Sequence, residues 1–494
     1  MKRFLSISVL MIGMTTLVHA ADDAVARATK LYEKRHYEEA AGLLRSESAS
    51  IAPAAHGAAN LLLGMIHLKN AMLHADLYQA SVSATQDYLK KLSAAQRSDR
   101  SRFIDLYLGE ALIEAKKPEA AITHLERFSA NDGVDARYRE IARIELGLAR
   151  LLNNDEPGAT SIWSAVDSAD PEVKAELAAA FSRAGLRDKD PLAMADESLA
   201  EAKRSGKPLS PRLVANVLAV YSRAGAVEKG LELLRRSELK SFSYRETLGR
   251  SKTISFYDIS LLNNMAALHG KAAIAALEKA MADPKVKDAA GFHLAQAHAL
   301  FGSSEQAGHV AASFIATAQM PSQFKDRMRA WQGAVLLQKG RKADAQAIFS
   351  ELAARQPADP DVLAEMLYAC GRFRTDCSKT ARQASAVVEA GEGRKFSNLN
   401  IALGKYHLVK PDNSRAITYL EAGRDKSSKN KIEANDPALL VGLADAYFGT
   451  KKYSEALEIY FEMSKQFPEV RQIQEAMQGV YAMEHKSAGD VKIN

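Results

Sequence analysis

Apolar side chains recur at helical spacing along nearly all of this chain, and the alternation of branched apolar with polar residues that marks strands is absent. Alanine, leucine, glutamate and lysine dominate long stretches and proline is sparse, so helix is the expected local state. The apolar stripes come in pairs divided by short turns. Clearest is the stretch from Pro437 to about Val470. Leu440, Leu443, Ala444 and Tyr447 recur at helical spacing, Gly449-Thr450-Lys451-Lys452 makes a turn, and a second helix carries Tyr453, Ala456, Tyr460 and Met463 before Pro468. Small Ala444 and Ala456 let two antiparallel helices approach closely, while tyrosines and leucines fill the space around that contact.

The same phase returns along the chain. Leu146, Gly147, Ala159, Trp163, Val166 and Pro171 mark a unit over 140–173, and Gln332, Gly333, Leu336, Gly340, Ala345, Phe349, Leu352 and Pro357 mark one over 326–359. Leu108, Gly109, Leu112, Ala121, Leu125 and Phe128 give a third, with Lys116-Lys117-Pro118 as turn and helix initiator. Ala28, Leu31, Tyr37, Ala40 and Leu44 form a pair near the amino end, and Leu403, Gly404, His407, Ala416, Leu420 and Gly423 one near the carboxyl end. Looser copies run through Val214, Val217, Tyr221, Gly225, Val227 and Leu234, with departures at Leu218 and Gly230, and through Leu294, Ala295, His298, Gly302, Ala307 and Phe314. These units resemble the tetratricopeptide repeat of roughly 34 residues, in their small residues, aromatics and closing prolines. The resemblance implies an all-α solenoid of helix-turn-helix repeats.

Spacing is disturbed between the good copies. A longer turn is expected around Asn70-Ala71-Met72, and an irregular join in the polar stretch 240–256. The chain thus divides into a leader over 1–20, tetratricopeptide-like repeats over 21–173, irregular helical repeats over 174–325, a second regular set over 326–484 and a flexible tail over 485–494. One helical pair cannot bury both of its apolar faces, so pairs stack and expose a long concave surface lined mainly by first-helix side chains. Function is then expected to be spread over that surface, as in a scaffold or adaptor for proteins.

The ends and the charge place this array. Lys2 and Arg3 precede an apolar stretch from Phe4 to Val18 and then Val18-His19-Ala20, the order of a cleaved secretory signal, with cleavage expected after Ala20. No later stretch has the uninterrupted apolar length of a membrane span. A periplasmic protein of a bacterial envelope is the expectation, with full secretion as the alternative. The formal charge of +6 over 66 basic and 60 acidic residues describes a mixed surface, which argues against nucleic acid as the partner. Arg235, Arg236, Lys240, Arg245, Arg250 and Lys252 form the densest basic patch, a candidate seat for an acidic protein, a phospholipid headgroup or an anionic polymer, although Glu238 and Glu246 interrupt it. Arg424, Lys426, Lys429 and Lys431 form a smaller cluster in a loop-like context.

Candidate chemistry is thin. Cys370 and Cys377, the only cysteines, flank a helix junction and form a candidate disulfide in an oxidising compartment. They lack the further ligands that a metal site needs. His293 and His298 lie about 140 degrees apart around a helix, and His67 and His74 span nearly two turns around an expected break. Neither pair has the spacing of a helical zinc protease, and no phosphate loop, serine elbow or dinucleotide turn is present. No catalytic residue, cofactor or metal is expected. The leading function is a non-enzymatic envelope scaffold; the alternatives are an accessory to exopolysaccharide synthesis or export and a cell-wall-acting enzyme whose carboxylates the fold would have to bring together.

Overall fold

The computed structural model describes residues 23–95, 104–114, 116–206, 209–235, 256–355, 358–373, 375–391, 396–424 and 435–466. Among these the protein is all-α, a helix-turn-helix repeat solenoid resembling tetratricopeptide repeat domains. No helix among them is long and apolar enough to cross a membrane. The stretch 1–20 expected to be a leader, the expected carboxyl-terminal tail and most of the basic patch lie outside the described residues. The chain forms two compact units, one of residues 1–76 with 269–488 and one of residues 77–268 with 489–494.

In the first unit, α1 (Asp23–Glu33) and α2 (Tyr37–Ser46) form a hairpin, followed by the opening part of α3 (His56–Ala95). The unit resumes within α12 (Phe256–Ala280) and continues through the pairs α13 (Lys287–Phe301) with α14 (Ser304–Thr317), α15 (Ser322–Gln338) with α16 (Lys342–Ala353), α17 (Pro360–Arg372) with α18 (Ser378–Ala390), α19 (Ser397–Val409) with α20 (Asn413–Gly423), and α21 (Pro437–Gly449) with α22 (Tyr453–Gln466). The second unit pairs α4 (Ile104–Glu114) with α5 (Pro118–Ser129), α6 (Ala136–Leu152) with α7 (Glu156–Ser164), α8 (Pro171–Ala184) with α9 (Pro191–Arg204), and α10 (Pro211–Ala224) with α11 (Val227–Arg235). In each unit the first helix of a pair packs on its own second helix and on the first helix of the next pair, from α13 through α21 and from α4 through α10.

One close contact recurs. A Cβ added at Gly109, Gly147, Gly333 or Gly404 would lie 2.4, 2.4, 2.3 or 2.3 Å from Leu125, Trp163, Phe349 or Leu420. Each partner is sixteen positions along the chain, so a large second-helix residue presses on the bare backbone of the first helix. Twelve positions after the same glycines stand Ala121, Ala159, Ala345 and Ala416, all fully buried. Ala444, Ala456 and Tyr460 repeat this phase with alanine in place of glycine. The looser copy exchanges sizes: Leu218 is large and fully buried, and the space a Cβ would need at Gly230 is filled by Leu268 of α12.

The turns also share a geometry. Arg35, Lys116, Asn154, Gly225, Gly340 and Lys451 each stand two residues before a second helix with positive φ, between 58° and 75°. Helix starts are capped by Asp135, Asp155, Asp170, Ser210, Asp359, Asp412 and Asp436, whose side chains accept from backbone N–H groups of the first turn. Pro171, Pro211, Pro360 and Pro437 follow four of these caps, where a missing N–H costs nothing.

At Asn70-Ala71-Met72 the structure differs from the sequence reading. α3 runs through without a break, because Asn70 is buried and its side-chain amide donates to Glu38 Oε1 at 2.7 Å instead of bonding its own backbone into a turn.

Candidate functional site

Seven helices of the first unit, α1, α3, α13, α15, α17, α19 and α21, line one cavity of about 240 Å³. Its apolar surface comes from Met65, Leu68, Met72, Leu300 and Ile401, and its aromatic surface from Tyr32, Phe292, Trp331 and Tyr368. These residues come from first helices and from α3, which contribute one or two turns each. The site therefore exists only once the repeats have stacked.

Charges of both signs meet there. Arg327 donates to Glu365 at 2.6 Å and its guanidinium carbon lies 5.0 Å from the Phe292 ring centroid. Lys405 donates to Asp76 at 2.6 Å and lies 5.5 Å from the Tyr368 centroid. Asp361 accepts from Asn398 at 3.3 Å. Asp436 caps α21 by accepting from Ala438 N at 2.8 Å; burial works to raise its pKa, but Lys69, Arg35 and Lys405 together hold it below the ordinary value. His293, 3.0 Å from Gln296, is lowered to about 4 by burial, with Arg327 and Lys69 acting in the same direction, so it is neutral at pH 7. Burial pushes the Tyr32 and Tyr368 hydroxyls upward, so both stay protonated.

A second polar assembly lies in the other unit. Arg212 on α10 donates to Glu176 at 2.7 Å and Glu110 at 3.0 Å, with Glu172 at 3.9 Å, and Asn216 donates to Glu176 at 2.9 Å. Arg183 on α8 donates to Glu145 at 3.1 Å and Glu114 at 2.9 Å. Sequence reasoning saw only scattered carboxylates; stacking of α4, α6, α8 and α10 brings these together. Glu110, Glu145 and Glu176 are closed from solvent and held by guanidinium groups, which suits them to fixing the packing of four helices, while Glu114 stays about half exposed. Burial raises Glu110 and Glu145, opposed by Arg212 and Arg183 and reinforced by Glu176.

The histidines group in a way that spacing did not reveal. His67 and His74 on α3 meet His269 on α12, with 3.0 Å between the Nδ1 atoms of His67 and His269 and with His74 stacked on His269 at 5.6 Å between centroids. His74 is lowered to about 4 by burial and by His269. No group of three or more His, Cys, Asp or Glu among the described residues has the geometry of a metal site.

Cys370 and Cys377 are joined as a disulfide, with 6.1 Å between their Cα atoms, across the turn from α17 to α18. Of the basic patch, only the backbone of Arg235 is described, as the last residue of α11; Arg236, Lys240, Arg245, Arg250 and Lys252 lie outside the described residues. Arg424 of the smaller cluster faces inward to Glu462 at 2.7 Å and Glu421 at 3.4 Å.

No protein-family model matches the chain, and no curated protein does. Among solved structures, yeast Tom70 is similar at 12% identity and a TM-score of 0.33, over 94% of this chain and 96% of that one. A chain of the APC/C hetero-tetramer Cut9-Hcn1 is similar at 13% identity and 0.29, over 96% and 99%. The TPR domain of P58(IPK) is similar at 15% identity and 0.20, over 70% and 98%.

Proposed function

We propose that this protein is a non-enzymatic scaffold or adaptor that holds a protein partner against the first helices of its repeats, and that it works in the bacterial envelope. The observation that carries the reading is the cavity of the first unit, to which one helix after another contributes aromatic, apolar and charged side chains. A surface assembled from serial repeats suits an extended chain, whose recognition is divided over many weak contacts. The leader-like amino end supports the envelope as the compartment.

The test is capture from envelope extract by the mature chain. A defined protein retained by the wild type, and lost on Tyr368→Ala or Ile401→Asp, supports the scaffold. Crosslinks without a preferred partner, together with cleavage of wall material by the purified protein, would overturn it in favour of an enzyme.

A further inference from the structure

The unmet hydrogen-bonding capacity around this cavity includes two groups that can only donate. Trp331 is 3% exposed and its indole Nε1 has no acceptor, and Arg327 Nε is likewise buried without one. The two stand one helical turn apart on α15. Lys69, half-buried on α3, has no hydrogen bond or ion pair of its own among the described residues and acts on Asp436 only through space. By contrast, the carboxylates on the wall are engaged: Glu365 by Arg327, Asp361 by Asn398 and Asp436 by the start of α21. The remaining unpaired ring nitrogen, His293 Nε2, donates or accepts according to its tautomer. A buried donor without an acceptor is desolvated with nothing in return, so an occupant that brings an acceptor relieves a standing penalty.

From this one-sided balance we infer that the cavity is a seat for a carboxylate carried on an apolar stem, the acidic side chain of an extended peptide segment, with Lys69 supplying the charge and Trp331 and Arg327 the remaining donors. Met65, Leu68, Met72 and Ile401 face the stem. Because Trp331 Nε1 and Arg327 Nε are both covered in the empty cavity, seating the carboxylate includes a small displacement of the wall around both side chains. The inference rests on the scaffold reading for the source of the carboxylate, while the chemistry of the seat is independent of it.

The chain has two tryptophans, Trp163 and Trp331, so the indole region of a ¹⁵N–¹H spectrum of the full chain holds two cross-peaks, assigned with Trp163→Phe. The probes are an acetylated, amidated Leu-Glu-Leu tripeptide and its Leu-Gln-Leu counterpart. The glutamate probe is expected to shift the Trp331 indole signal saturably and leave that of Trp163 in place. The glutamine probe is expected to bind about tenfold more weakly, the loss typical of a charge-assisted hydrogen bond. Lys69→Met should bring the glutamate probe to the level of the glutamine one, and Lys69→Arg should retain the preference. Should Lys69→Met fail to fold, binding of the glutamate probe to the wild type must still weaken as salt rises. A Trp331 signal unmoved by millimolar probe, equal affinity for the two probes, or salt-independent binding overturns the inference. If an envelope partner is captured while Trp331 stays unmoved, the seat fails and the scaffold stands; if the probe binds and no partner is found, the reverse holds.

Discussion

Replacing glycine by alanine inside a helix normally stabilises by about 1 kcal/mol, so Gly147→Ala and Gly42→Ala make a decisive pair. At Gly42 on α2, nothing lies within 4 Å of an added Cβ. At Gly147 on α6, the same atom would stand 2.4 Å from Trp163 Nε1 and 2.7 Å from its Cε2. The indole has little freedom to retreat: its N–H donates to Ile144 O at 3.0 Å and its ring meets Phe181 edge-on at 5.3 Å between centroids. Displacing it costs about 1–3 kcal/mol in overpacking and about 1 kcal/mol for the weakened hydrogen bond. Net of the helix gain, Gly147→Ala should destabilise by about 1–3 kcal/mol, lowering the unfolding midpoint of a cooperative unit of this size by about 2–12 °C. Gly42→Ala should raise stability by about 0.5–1 kcal/mol. Differential scanning calorimetry reads both, and near-ultraviolet circular dichroism follows the Trp163 environment. Pairing Gly147→Ala with Trp163→Leu should cost less than the two changes summed, because the second removes the obstacle the first meets. A Gly147→Ala variant as stable as the wild type would refute the claim that second-helix bulk against first-helix backbone sets the packing of a repeat.

Arg212→Met should destabilise the second unit by about 3–5 kcal/mol in denaturant unfolding, since Glu110 and Glu176 lose a buried guanidinium, whereas Arg139→Ala, which faces the nearly fully exposed Asp132, should stay within about 0.5 kcal/mol. Burial is the largest cause that raises Glu110 to about 7 and Glu145 to about 8. Carboxyls raised in this way bind protons more tightly folded than unfolded, so their contribution is complete below the unfolded value and is lost as pH rises through the folded ones. Stability of the second unit should therefore fall as pH rises from about 4.5 to about 8 and level off above, and Glu145→Gln should flatten that slope; a slope unchanged in the variant would contradict it. The Cys370–Cys377 bond closes a short loop and should contribute about 2 kcal/mol. Intact-mass measurement of the protein purified without reductant, after thiol alkylation, should show neither cysteine modified, and modification of both would count against the bond.

Much of the architecture was legible along the chain. Gly109, Gly147, Gly333 and Gly404, with the alanines and large residues that follow them, mark a contact whose partners lie within one hairpin, and such contacts leave a periodic trace in sequence. Helix starts rest on the same kind of local contact, since a capping Asp or Ser acts on N–H groups two or three residues away. Asn70 misled because its turn-forming side chain is diverted to Glu38 on another helix. What only the tertiary structure decided are the assemblies made between hairpins: Lys405 meets Asp76, Arg212 meets Glu110, and His269 meets His67, at sequence separations of 329, 102 and 202. Each first helix supplies a turn or two to these sites, and the neighbours of a given side chain are set by which repeats stack beside it. Local periodicity fixes the hairpin because its energetics are local, while the cavity and its unpaired donors arise from the summed placement of seven helices.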